Sequence, residues 1–246
     1  MRTPGPPAVN RAPRIVRRVE AGAGQPAVVL EAGMNCGATS WERVMPLLAP
    51  QVRAVAYDRA GIGGSAPAPG RAVIDRQVAD LASVITGLAA GPCVLAGHSW
   101  GGMLVQLLAF RRPELVAGLV LVDPGHEEME GGLPLALRWG WRFARAVRPD
   151  ELRGDAATAA AALRELRAAA SPFPDVPVTV LSAARGFPLP RRFRAHWTRL
   201  QSGLAAAAPQ GRHVVVGGAG HRLPAERPGV VADAILAVAA QVRAGG

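Results

Sequence analysis

The chain has 246 residues, 50% of them hydrophobic, and a formal net charge of +10, enough to bury a full core in one large domain. No apolar run approaches the ~20 residues that span a bilayer. All 28 basic residues are arginine, scattered without a stripe, and Tyr57 is the only tyrosine; this composition argues against a nucleic-acid partner, while a cationic surface suits anionic substrates.

Residues 1–13 are Pro-rich and offer little to bury, so they read as a flexible leader. They lack the apolar h-region of a signal peptide, and a cytoplasmic location is expected. Strands are predicted at 14–20 and 27–33, then a helix at 40–49, a strand at 52–58 and a helix at 75–90. A strand at 93–97, "CVLAG", runs into a helix at 101–112, followed by a strand at 119–123. The strand at 176–182, the helix at 191–204, the strand at 213–218 and the helix at 228–243 complete the chain. The last helix carries Val230, Val231, Ala234, Ile235 and Val238 at helical spacing. Several strands are apolar at nearly every position, as strands covered on both faces must be. Strand and helix alternating in this way predict a mostly parallel sheet with helices on both faces, an α/β fold.

Residues 124–175 interrupt the alternation with about fifty residues of helical content and no strand. They read as a helical cap between two halves of the core, 14–123 and 176–246. Trp139, Trp141 and Phe143, three of eleven aromatics, sit in the cap and either pack it onto the body or face a pocket below. Two cysteines make no disulfide framework: Cys93 belongs to a buried strand and Cys36 to a loop.

Ligands of open parallel sheets bind outside the carboxyl ends of the strands, so the strand tips carry the chemistry. The strand at 93–97 delivers "GHSWGG", with Ser99 between Gly97 and Gly101. A nucleophile elbow needs small residues at those two places. It leaves the serine Oγ exposed and puts the backbone N–H of Trp100 at a helix N-terminus, where negative charge is stabilised. The strand at 27–33 ends in "EAGMNC", whose Gly turn offers the backbone N–H of Met34 as a second oxyanion donor. His221, in the loop before the last helix, is positioned to act as general base.

These pieces resemble the α/β-hydrolase-fold serine hydrolases. "LEAGMNC", "YDRAGIGGS", "GHSWGG", "LVLVDP" and "GAGHRLPAERPGVVADAI" follow one another in family order over nearly the whole chain from about residue 14. The resemblance implies Ser99 as nucleophile, His221 as base, Met34 and Trp100 as oxyanion donors, His98 as a supporting residue, and the Asp58-Arg59 turn with Gly61 and Gly63 as structural. Serine at the elbow, where the haloalkane dehalogenase and epoxide hydrolase branches have Asp, points away from both.

Relatives usually place the triad acid after the penultimate strand, a position that falls on Gly186 here, and no acidic residue lies between Asp175 and Glu226. Asp123, at the tip of the strand at 119–123, is the expected acid, with Glu127, Glu128 or a triad lacking an acid as alternatives; His126 is expected to be a cap residue. The expected reaction is hydrolysis of a small ester, lactone or thioester through an acyl-Ser99 intermediate. An apolar pocket would be formed by Met34, Trp100 and the cap aromatics, with Asn35 and Cys36 beside it. No metal cluster and no dinucleotide loop is present in the sequence, so no cofactor is expected. A non-hydrolytic lyase or cofactor-free catalyst on the same scaffold, and a non-enzymatic small-ligand receptor, remain as alternatives.

Overall fold

The structure, a computed structural model, describes residues 18–67, 74–128, 161–164, 167–168, 173–185 and 191–245. Seven strands form one sheet: β1 (Arg18–Ala21), β2 (Val28–Glu31), β3 (Ala54–Tyr57), β4 (Cys93–His98), β5 (Val116–Val122), β6 (Pro177–Ala183) and β7 (Gln210–Val216). The helices are α1 (Met45–Leu48), α2 (Ile74–Gly87), α3 (Trp100–Arg111), α4 (Arg191–Ala206), α5 (Leu223–Glu226) and α6 (Pro228–Gly245). The strand order is β1-β3-β2-β4-β5-β6-β7, parallel throughout except that β1 runs antiparallel to β3.

The apolar runs of the strands are explained by the two cores they separate. Val29, Val55, Leu95, Leu119 and Val178 turn to the face covered by α2, α3 and the end of α4. Their neighbours Val28, Ala54, Val94, Val120 and Leu181 turn to the face covered by α1 and α6. Successive side chains point to opposite sides of a strand, so a strand buried on both faces leaves few positions for a polar residue. Full burial of a Leu or Val contributes about 1.5–3 kcal/mol, and these central strands are where most of that gain is made.

Two predicted helices differ in detail. The predicted helix at 40–49 is a 3₁₀ turn, Ala38–Trp41, followed by the short α1. Pro46 in its first turn suits a helix start and cannot extend an earlier ladder. In α6 the buried stripe is Val231, Ala232, Ile235, Val238 and Ala239, while Val230 is exposed. Among the described residues α6 is the one helix long and apolar enough to cross a membrane by length and composition; that stripe seats it in the core on the α1 side of the sheet. The 1–13 leader and Gly186 lie outside the described residues, as does most of 124–175, including Trp139, Trp141 and Phe143. Within that interval residues 161–164 and 167–168 are helical, and Leu163 and Phe173 are buried in the core on the α3 side.

The sheet order decides where chemistry can gather. After β2 the chain turns to one side to form β3, then crosses back to form β4 on the other side of β2. The loops after β2 and β4 therefore leave the sheet side by side, with Glu31 in register with Gly97. On the other flank His98 is in register with Val122, so Ser99 and Asp123 leave adjacent strand tips. This is the topological switch point at which open α/β sheets bind ligands.

Candidate active site

Ser99 is the junction between β4 and α3, with φ 53° and ψ −113°. A non-glycine residue in that region costs on the order of 1–3 kcal/mol and persists only where its surroundings enforce it. Here the Ser99 N–H donates to the Val122 carbonyl at 3.1 Å, and the Ser99 carbonyl accepts from Gly102 at 3.0 Å and Gly125 at 2.9 Å. The turn is too tight for side chains around it. A Cβ on Gly97 would lie 2.5 Å from the Gly101 carbonyl oxygen, and one on Gly102 would lie 2.5 Å from the Pro124 Cβ.

The expected nucleophile, base and acid meet in one hydrogen-bonded chain. His221 Nε2 is 2.9 Å from Ser99 Oγ, and His221 Nδ1 is 2.6 Å from Asp123 Oδ2. The second carboxylate oxygen of Asp123, Oδ1, accepts from the Ala183 N–H at 3.1 Å and from Trp197 Nε1 at 3.0 Å. Asp123 also has a positive φ, 43°, and its N–H donates to the Leu181 carbonyl at 2.7 Å. With both oxygens engaged and the backbone tied to β6, the carboxylate is held in one orientation beneath the imidazole. The alternative acids lie elsewhere: Glu127 pairs with Arg167, and Glu128 is exposed. His126 is within 3.5 Å of Glu127 Oε2 and accepts from the Glu128 N–H at 3.1 Å, so it belongs to that cluster.

His98 supports His221 directly. Its Nε2 donates to the His221 carbonyl at 2.8 Å, and the two rings are 5.0 Å apart. Burial, and then the neighbouring His221, push the His98 pKa down to about 4. It stays neutral near pH 7, so it steadies the His221 backbone without placing a second charge beside an imidazolium.

Met34 follows Gly33 in a turn closed by the Cys36 N–H on the Gly33 carbonyl at 3.2 Å. A Cβ on Gly33 would lie 3.6 Å from the Ser99 Cβ, so the loop lies against the elbow. Trp100 opens α3, and a first-turn N–H has no carbonyl within its own helix to bond. The Trp100 side chain is buried and donates from Nε1 to Gln77 Oε1 of α2 at 2.8 Å. That contact anchors the indole between α2 and α3. Asn35 and Cys36 are exposed at the tip of the turn. The Cys93 thiol is buried and pushed up to about 11, which marks it as a packing residue.

Two contributors, Trp197 and Glu31, escaped the sequence reading, and Arg59 was expected only as part of a structural turn. Trp197, on α4, reaches Asp123 from a distant part of the chain, and nothing in its local pattern announces it. Glu31 and Arg59 form a buried ion pair, Arg59 Nη1 to Glu31 Oε1 at 2.5 Å, with the Tyr57 hydroxyl also donating to Glu31. Their signal was present as opposite charges at the tips of two apolar runs, "AVVLEAG" and "VRAVAYDRA". Gly61 and Gly63 do adopt positive φ, 79° and 54°. Asp58 ties their loop down by accepting from the Ala38 N–H at 2.7 Å and the Gly64 N–H at 2.9 Å. No group of three or more His, Cys, Asp or Glu side chains suited to a metal occurs among the described residues.

Comparison with known proteins agrees with this architecture. A family model described as the alpha/beta hydrolase family matches residues 28–234. The uncharacterized protein YqjL of Bacillus subtilis is 26% identical over 214 residues, covering 86% of this chain and 82% of its own. The solved structure of a thermophilic esterase from Thermogutta terrifontis superposes with a TM-score of 0.65 at 24% identity, covering 92% of this chain and 93% of that one. A haloalkane dehalogenase, DbeA from Bradyrhizobium elkani, superposes with a TM-score of 0.73 at 20% identity, covering 96% and 98%. The two structures share the fold with this chain.

Proposed function

The chain belongs to the alpha/beta hydrolase family, and from that premise we propose that it is a serine hydrolase acting on a small carboxylic ester, lactone or thioester with a largely apolar part. The observation that carries the reading is the unbroken chain from Ser99 Oγ through His221 to Asp123, at 2.9 and 2.6 Å. The shared fold with a dehalogenase does not decide the chemistry, because fold and function separate within superfolds. The elbow residue supports acyl transfer: a serine hydroxyl is an oxygen nucleophile that needs a base, and His221 is within reach to supply it.

In the proposed reaction Ser99 Oγ attacks the acyl carbon while its proton passes to His221 Nε2. The resulting oxyanion accepts from the backbone N–H groups of Met34 and Trp100. The bond to the leaving oxygen or sulfur then breaks, and His221 returns its proton to that atom. Water attacks the acyl-serine, giving one proton to His221, which passes it to Ser99 Oγ as the acyl bond breaks, and the product leaves as the carboxylic acid, which ionises in solution. Asp123 holds the imidazole tautomer that makes Nε2 the acceptor. The partly buried Met34 side chain, packed on the α3-side core, contributes apolar surface.

A fluorophosphonate probe tests the reading. Covalent labelling of the wild-type chain, lost in Ser99→Ala, is expected; a wild-type chain that takes up no label removes the acyl-serine mechanism.

A further inference from the structure

The Glu31–Arg59 pair is almost entirely buried, with side-chain exposures of 1% and 4%. Removing two charges from water is costly and seldom rewarded by stability alone, so what the guanidinium touches matters. Besides Glu31, Arg59 donates from Nη1 to the Ala32 carbonyl at 2.8 Å and from Nη2 to the Gly33 carbonyl at 2.6 Å. Arg59 thus spans the first two carbonyls beyond β2 with one planar fork. A Cβ on Gly101 would also collide with the Glu31 and Ala32 carbonyls. The loop is therefore clamped between a guanidinium and the first turn of α3.

The Gly33 carbonyl belongs to the same peptide unit as the Met34 N–H. In a trans peptide the two point in opposite directions, so fixing one aims the other. We infer that Arg59 is a positioning residue for the oxyanion site: by holding the Gly33 carbonyl it turns the Met34 N–H away from the guanidinium, to the side of the loop where Ser99 lies. A charge-assisted bond on the carbonyl also polarises the peptide and strengthens its N–H as a donor. Glu31 and Tyr57 keep the guanidinium in place. Lysine cannot substitute, because a single ammonium lacks the planar fork that reaches a carboxylate and two carbonyls together.

This inference rests on the acyl-serine reading, and two readouts keep them apart. The first uses p-nitrophenyl butyrate turnover per active site, titrated with fluorophosphonate, and the affinity of an alkyl trifluoromethyl ketone, whose hemiketal oxyanion mimics the intermediate. Arg59→Lys is expected to lower kcat about 10- to 100-fold, since losing an oxyanion donor outright costs about 10²–10³. KM is expected to stay within about 3-fold, and ketone affinity to fall in step with kcat. The double variant Glu31→Gln, Arg59→Met removes both charges without stranding either, and the same loss is expected. A role confined to stability would lower the number of titratable sites and leave kcat per site and ketone affinity unchanged, which overturns the inference. The second readout is the amide ¹⁵N and ¹H shift of Met34, which responds to the hydrogen bond on the preceding carbonyl. It is expected to move in Arg59→Lys while resonances of α6 do not, and an unmoved Met34 amide overturns the inference whether or not the chain turns over an ester. Wild-type turnover that survives Ser99→Ala would remove the acyl-serine reading, and with it the oxyanion role of Met34.

Discussion

Asp123 is the residue on which the proposed mechanism is most exposed. Three donors converge on its carboxylate, from His221, Ala183 and Trp197. Replacing it with Asn keeps the shape but presents an amide that favours the wrong imidazole tautomer. Asp123→Asn is therefore expected to cut turnover by about 10⁴-fold while circular dichroism and the unfolding midpoint stay close to wild type. Turnover within about 10-fold of wild type would mean that His221 does not depend on this carboxylate. Asp123 itself was readable from "LVLVDP" and from the absence of any acid near Gly186. Trp197 was not, because a helix residue 74 positions away in sequence meets it only through the packing of α4 on the sheet.

At the scale of elements, the strand-turn-helix from β4 to α3 is the unit that imposes Ser99's conformation. Its glycines are places where backbone meets backbone. A Cβ on Gly97 would fall 2.5, 2.7 and 2.8 Å from Gly101 and Gly102 backbone atoms, and no flexible side chain is there to yield. Gly97→Ala is thus expected to destabilise the fold by at least about 2 kcal/mol, read as a lower urea midpoint, and to abolish fluorophosphonate labelling even under conditions where the variant is folded. A variant with wild-type stability and labelling would show that the elbow tolerates a displaced α3. The spacing of the elbow motif revealed this element in the sequence. The loop after β2 was legible only as a Gly turn, since the clamp on its carbonyls comes from Arg59, beyond the tip of the neighbouring strand β3.

For the whole molecule, two buried histidines set the response to acid. Burial holds His98 and His126 at about 4, below the ordinary histidine value of 6.5. The unfolded chain takes up protons between about pH 6.5 and 4 that the folded chain refuses, so stability present above that window is lost as pH falls through it. The thermal midpoint is expected to drop between pH 7 and 4.5, and His98→Asn to flatten that drop; a midpoint that holds steady or rises on acidification contradicts this. The α/β class, the seven strands and the roles suited to Ser99 and His221 were determined by the sequence itself. Hydrophobic periodicity and tight-turn chemistry are local, and they write themselves into neighbouring residues. Which tryptophan meets Asp123, and what holds the carbonyls after β2, were decided only by the tertiary structure. Those contacts join residues brought together by the order of strands in the sheet, and strand order is a property of the packed whole.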